Sequence, residues 1–278
     1  MNQIELINVR KDYTTKTLGT VTAVNNFNLT IKKGECFSFL GPSGCGKTTT
    51  LRMLAGFEDL SEGEIRLEGK VVSNKAKNLY VPPEHRNLGM VFQAFAVWPH
   101  LNVFDNVAFP LQVQKRPKAE IEERVNLALK QTNLLDQAKV FPSDLSGGEQ
   151  QRIALARSIV VNPGILLLDE PLSNLDPKLR ESMRFEIKRL QKEYNFTIVF
   201  VTHDQSEALA LSDRLLVMNK GEIIQIGTPQ ELYNKPVNLF VHNFLGESNF
   251  TKVEYRDGKV YAEGDTTKPL PCTIQHMD

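Results

Sequence analysis

A chain of 278 residues can bury a full core, as one large domain or as one domain with a small appendage. Its 33 Lys and Arg balance its 33 Asp and Glu, so no global field draws it to nucleic acid or to an anionic bilayer. The longest apolar runs, such as Ile165 to Leu168 and Ile198 to Val201, fall far short of the about 20 residues that a spanning helix needs. Met1 to Glu5 lacks the basic and apolar regions of a signal peptide, and both absences predict a cytoplasmic protein. Cys36, Cys45 and Cys272 show neither a pairing framework nor metal-ligand spacing, which fits a reducing compartment.

Residues 3–10 and 23–31 alternate apolar and polar, predicting two half-exposed antiparallel strands. Between them Tyr13 reads either as a plain surface-strand aromatic or as a ring on which a base stacks. Glu35 to Leu40 is a short apolar run readable as a buried strand, and Thr49 to Ala55 reads as the start of a helix. Gly41-Pro-Ser-Gly-Cys-Gly-Lys-Thr48 lies between them and fits the phosphate-loop pattern of Gly, four residues, then Gly-Lys-Ser/Thr. Gly41, Gly44 and Gly46 let successive N–H groups point inward at phosphate oxygens, and the helix N-terminus adds partial positive charge. Cys45 contributes through its backbone, having no local base that would make it a nucleophile. Lys47 would reach the β and γ phosphates and the Thr48 hydroxyl would ligate Mg²⁺.

Ser61 to Glu64 turns into a strand at Ile65 to Gly69, and Leu88 to Phe92 is a further buried strand ending on Gln93. Residues 94–113 are rich in aromatics and prolines, and Lys118 to Gln131 is amphipathic, with Ile121, Val125, Ala128 and Leu129 on one face. This reads as a helical insert. Pro142 to Glu149 opens a helix, and Gly164 to Glu170 is an apolar strand ending in two carboxylates. The helix from Pro177 puts Leu179, Met183, Ile187 and Leu190 towards the core. Its other face carries Arg180, Arg184, Lys188 and Lys192, interrupted by Glu181, Glu186 and Glu193, and reads as solvated. Phe196 to Val201 is a strand ended by Thr202-His203-Asp204. A helix near 205–210, strands at 214–218 and 222–226, and helices near 229–234 and 239–245 follow. Strands alternating with helices predict an α/β fold with a mostly parallel, doubly wound sheet and an antiparallel subsheet near the N-terminus.

Asp169 at its strand end would sit near the Mg²⁺ bound at Thr48, and Glu170, one step further towards the γ phosphate, is the candidate general base. His203 ends a neighbouring strand and could hold the γ phosphate, orient Glu170, or be a satisfied structural group.

Joint order carries further than any one motif. Leu145-Ser-Gly-Gly-Glu-Gln-Gln-Arg152, then Asp169-Glu170, then Ser173-Asn-Leu-Asp176, then His203 resembles the ATP-binding cassette family over residues 3 to about 248. That family's signature is Leu-Ser-Gly-Gly-Gln, and Glu149 is a variant of its fifth position. The resemblance implies a P-loop NTPase mixed sheet with an antiparallel β subdomain and an inserted α-helical subdomain at about 94–160. It implies an ATPase with ATP and Mg²⁺, in which Tyr13 stacks on adenine and Gly41, Ser43, Gly44, Cys45, Gly46, Lys47, Thr48 and Thr49 hold phosphate. Gln93 becomes the loop glutamine sensing Mg²⁺ and the attacking water, Asp169 and Glu170 the second nucleotide motif, Asp176 the loop that crosses the dimer, and His203 the switch histidine. Two ATP molecules would be sandwiched in a head-to-tail homodimer, each also touching Ser146, Gly147, Gly148 and Glu149 of the other copy.

The segment Gln93 to Pro110 and Gly227 to Pro236 resemble importer ATPases for sugars, polyamines, ferric iron, sulfate or phosphonates. A separate permease would dock near Ala94 to Phe109, with an extracytoplasmic solute-binding protein in the full system, which places this chain peripherally on the cytoplasmic side of the membrane. Trp98 and Phe109-Pro110 lean the expectation towards ferric iron. Residues 1–245 then form the nucleotide-binding domain, and 246–278 a short extension holding one hairpin, at 249–262, of an OB-like regulatory domain. The alternative is a soluble cassette ATPase of DNA repair or translation, which would show a long coiled coil or a second cassette. A non-catalytic nucleotide-gated module would lack the base that Glu170 supplies.

Overall fold

The computed structural model describes residues 2–15, 19–246, 252–257 and 259–270, so Cys272 and part of the expected hairpin lie outside the described residues. Strands β1 (Asn2–Thr15) and β2 (Gly19–Lys32) pair antiparallel, burying Ile4, Leu6 and Val9 on one and Phe27, Leu29 and Ile31 on the other. Strand β3 (Cys36–Leu40) is buried along its length and runs through the glycine loop into α1 (Lys47–Ala55). Strands β4 (Glu62–Leu67), β5 (Lys70–Asn74) and β6 (Leu79–Tyr80) complete a five-stranded antiparallel sheet in the order β2-β1-β4-β5-β6. Neither β5 nor β6 announces itself in the sequence; they are short, and cross-strand pairing of β5 on β4 and of β6 on β5 makes them strands.

The chain returns to the main sheet in β7 (Leu88–Val91) and then builds the helical layer of α2 (Val103–Val113), α3 (Lys118–Gln131) and α4 (Gly147–Ile159). Alternation resumes with β8 (Ile165–Asp169), α5 (Pro177–Tyr194), β9 (Thr197–Thr202), α6 (Gln205–Leu211) and β10 (Arg214–Asn219). Strand β11 (Glu222–Gly227) and helices α7 (Pro229–Asn234) and α8 (Leu239–Leu245) follow. Strands β12 (Val253–Arg256), β13 (Lys259–Ala262) and β14 (Asp265–Pro269) form a three-stranded antiparallel sheet, one strand more than the expected hairpin. The extra strand turns at Gly264 and pairs back on β13.

The main sheet has the order β11-β10-β3-β9-β8-β7 and is parallel except for β11. Its central strands read as continuous apolar runs because both faces are covered. Leu166, Leu168, Ile198 and Phe200 face the helical layer, while Ile165, Leu167, Val199 and Val201 face α1 and the antiparallel sheet. Each strand therefore joins two cores at a period of two.

The basic stripe on α5 departs from expectation. Lys188 donates to Leu211 O and to Asp213 Oδ1, both at 2.9 Å, and Arg180 pairs with Asp204 and Glu207. Helix spacing identified the face; only the arrival of the segment after β9 supplies its acidic partners.

Arg86, unremarked in the sequence, is 4% exposed and knits the antiparallel sheet to α1. It donates to Met53 O (2.7 Å), Leu54 O (2.9 Å), Val81 O (2.7 Å) and Ser73 Oγ (2.8 Å), and lies over the Tyr80 ring. Burial pushes its guanidinium down to about 10, and the C-terminal carbonyls of α1 take the place of a carboxylate partner. Gly56 ends α1 at φ 83°, and a Cβ there would meet Arg86 Nε at 2.5 Å. We expect Arg86→Met to lower stability by about 3 kcal/mol in urea unfolding, because it strands several buried acceptors. A loss under about 1 kcal/mol would show that solvent reaches those carbonyls.

Candidate active site

The three parallel strands β3, β8 and β9 end together, and their last residues carry the site. Leu40 is in register with Thr202, and Asp169 with Val201, so the glycine loop, Asp169-Glu170 and His203 leave the sheet at one edge. The loop closes tightly: Gly44 and Gly46 have φ 78° and 104°, and a Cβ on Gly46 would meet Ala23 O at 2.4 Å. Lys47, 5% exposed, donates to Gly41 O at 2.7 Å and Pro42 O at 2.9 Å, which holds its ammonium inside the loop.

Helix α1 begins at Gly46 with no side-chain cap and no acidic residue in its first turn. Ser146, Asp176, Asp204 and Thr228 cap α4, α5, α6 and α7 in the ordinary way. The first-turn N–H groups of α1 thus keep their partial positive charge, and with Lys47 they suit a phosphate. Thr48 Oγ1 donates to Asp169 Oδ1 at 3.1 Å. Two oxygen donors match a hard cation such as Mg²⁺. Among the described residues no cluster of three or more His, Cys, Asp or Glu could hold a metal alone, so phosphate and water would complete the shell.

Glu170 has φ 45°, uncommon for a non-glycine residue, and is fixed there by its N–H bond to Val201 O at 2.9 Å and by Ser173, which donates to its carbonyl. Its Oε2 accepts from Gln93 Nε2 at 3.1 Å and lies 3.2 Å from His203 Nδ1. Gln93, Glu170 and His203, far apart in sequence, converge on one carboxylate oxygen. Asn174 Nδ2 donates to Gln93 O at 2.9 Å and so steadies the glutamine's backbone; sequence reasoning named its motif but gave Asn174 no role.

Tyr13 lies on β1 opposite Val21, half-buried, with Lys11 Nζ 4.9 Å from its ring centroid. The signature residues sit apart from the loop. Ser146 caps α4 in a capping box, donating from Oγ to Glu149 Oε2 at 2.7 Å, while Gln137 also donates to Glu149. The Ser146 hydroxyl, Gln137 and the Ser146 N–H hold the Glu149 carboxyl below its ordinary range. Ser146 and Gly147 are exposed, Gly148 is buried against Leu179, and Asp176 accepts from the N–H groups of Lys178 and Leu179. Among the described residues none of these is hydrogen-bonded to residues 41–49.

Burial, opposed by the Thr48 hydrogen bond, raises the Asp169 carboxyl above its ordinary value. A raised folded-state value costs stability once the pH passes the unfolded carboxylate range near about 4. We expect Asp169→Asn, which can still accept from Thr48, to raise Tm at pH 7.5, the gain shrinking as the pH falls towards about 4. A gain independent of pH would show that charge is not its source.

Residues 24–173 match the family model described as ABC transporter. The chain is 50% identical over 267 residues to the spermidine/putrescine import ATP-binding protein of Haemophilus ducreyi, covering 94% of this chain and 69% of the relative. It is 53% identical over 246 residues to the protein of that name from Thermobifida fusca, covering 88% and 62%. To the trehalose/maltose import ATP-binding protein of Thermococcus litoralis it is 50% identical over 231 residues, covering 83% and 62%. It thus spans 62% to 69% of the length of these relatives. A dimeric ATP-binding cassette in a post-hydrolysis state with ADP and Pi superposes with a TM-score of 0.70 at 33% identity, over 81% of this chain and 98% of that one. The cassette cbiO1 of the ABC transporter complex cbiONQ from Clostridium perfringens gives 0.75 at 29%, over 84% and 92%. The relatives are named for polyamines and sugars, and the leaning towards ferric iron is not supported. The residues behind that leaning are engaged within the fold: Trp98 packs tilted against Phe109, ring centroids 4.3 Å apart, and lies under Arg157. Motif order, strand register and these matches agree that the chain belongs to the ATP-binding cassette transporter family, with its P-loop NTPase fold.

Proposed function

We propose that this chain is the ATP-hydrolysing subunit of an importer, akin to those for polyamines, acting on a separate membrane permease. The observation that carries the reading is the convergence of Gln93 and His203 on the Glu170 carboxylate at the strand edge where Thr48 meets Asp169. Glu170 is the base that takes a proton from the attacking water. Gln93 Nε2 and His203 fix the carboxylate's direction, and the backbone of residues 41–48 with Lys47 holds the triphosphate. Thr48, Gln93 and Asp169 are the residues that would hold Mg²⁺, which would neutralise phosphate charge when bound.

Ser146, Gly147, Gly148 and Glu149 are proposed to complete the site of a second copy, with Asp176 at the crossing and Tyr13 under the adenine. Supporting this are the exposure of Ser146 and Gly147 and the dimeric cassette to which the chain is similar. Among the described residues no helix is long and apolar enough to cross a membrane, so the reading assigns membrane contact to docking near Ala94 to Phe109. There Asn106, fully buried, bonds Trp98 N and the carbonyls of Trp98, Leu101 and Asn102, and shapes the loop that presents the rings.

Glu170→Gln is expected to lower ATP turnover by about 100-fold or more and to accumulate an ATP-bound dimer in size-exclusion chromatography. Turnover within about twofold of the parent would remove Glu170 as the base. For the substrate, the chain expressed in cells lacking a polyamine-import ATPase should restore uptake of labelled spermidine. Restored trehalose or maltose uptake in the matching sugar-import strain, without spermidine uptake, would move the assignment to sugars.

A further inference from the structure

Arg180 stands between two loops that the proposed mechanism uses, and nothing in that mechanism yet employs it. Its Nη2 donates to Leu175 O at 3.3 Å, one residue before Asp176. Its Nη1 donates to Asp204 Oδ2 at 3.3 Å, one residue after His203. Among the described residues its Nε is buried without a hydrogen-bond partner, 3.6 Å from Oε1 of Glu207, itself 2% exposed. The other oxygen of Glu207 accepts from Thr202 Oγ1 at 2.7 Å, and Thr202 Oγ1 accepts the N–H of Asp204 at 3.0 Å. Thr202 and Asp204 flank His203, and both are tied to groups that Arg180 touches.

A guanidinium is a rigid planar fork, so displacing one arm displaces the others. All three contacts lie at or beyond the long end of the hydrogen-bond range, where a shift of a few tenths of an ångström makes or breaks a bond. We propose that Arg180 is a positioning residue: it couples the Asp176 loop to the backbone around His203, so that movement of Asp176 sets how the imidazole meets Glu170. This rests on the roles given above to His203 and Asp176. In that reading the partner copy's contact at Asp176 is felt at His203 within the same chain, through a side chain that touches neither nucleotide nor reacting atoms.

Side-chain NMR of ¹⁵N-histidine-labelled protein tests it, with His203→Ala identifying the His203 signal among the five histidines. In Arg180→Ala the His203 signal should move while the other four stay in place. Its kcat for ATP should fall about tenfold, with KM within about twofold of the parent. Arg180→Lys keeps the charge near Asp204 but lacks the fork, and should show an intermediate shift and an intermediate kcat; it carries the test if the alanine variant does not fold. A parental kcat with an unmoved His203 signal overturns the proposal. So does a lowered kcat with His203 in place, which would make Arg180 merely structural. If the signal moves but both Arg180→Ala and His203→Ala keep full turnover, the coupling stands and the catalytic reading of His203 fails.

Discussion

Everything at this site depends on the register of three parallel strands. Hydrogen bonding between β3, β9 and β8 sets Leu40 beside Thr202 and Asp169 beside Val201, so three chemically different strand ends finish level. In a strand with a period of two, a slip of one residue would send Asp169 to the opposite face and an apolar neighbour to the edge. Both faces here are covered by cores, one helical and one of α1 with the antiparallel sheet, which makes such a slip costly. The carboxyl edge of a doubly wound sheet is where such folds receive ligands, and this one places its glycine loop there.

At that edge the chain departs from its own local rules. Among the described residues six of the eight α-helices have side-chain caps, yet α1, whose N-terminus faces the proposed phosphate, has none. Asp169 is a carboxylate 8% exposed, and Glu170 adopts a left-handed conformation that costs a non-glycine residue on the order of 1 kcal/mol or more. Neighbouring backbone and Ser173 hold Glu170 there. Left-handed non-glycine residues also occur away from this edge, as at Glu68, Ala96 and Lys220; what sets the edge apart is that an uncapped helix N-terminus, a buried carboxylate and a left-handed Glu170 stand together.

Arginine does much of the joining between layers. Arg86 ties the antiparallel sheet to the C-terminus of α1, whose N-terminus opens the glycine loop. Arg157 on α4 donates to Ala96 O and Phe95 O and stacks on Trp98, joining the signature helix to the segment after Gln93. Arg180 does the same between the turn before α5 and the turn after β9. In each case a planar fork donates to several carbonyl or carboxylate oxygens from separate segments, which a lysine ammonium would hold with less directional constraint.

Local signals carried much of this in the sequence. The glycine loop, the apolar strands ending in Asp169-Glu170 and Thr202-His203, and the periodicity of Lys118 to Gln131 were legible because each is written within a dozen or so consecutive residues. Ser146 and Glu149 read as a helix start for the same reason, and the structure makes them a capping box. What only the tertiary structure decided is long-range. The burial of Arg86, the ion pairs of the α5 stripe and the meeting of Gln93, Glu170 and His203 each need partners separated by many residues. Residue type and spacing determine which groups a segment can offer. Which groups they meet is set by strand order and register, and these minimise exposed apolar surface over the whole chain.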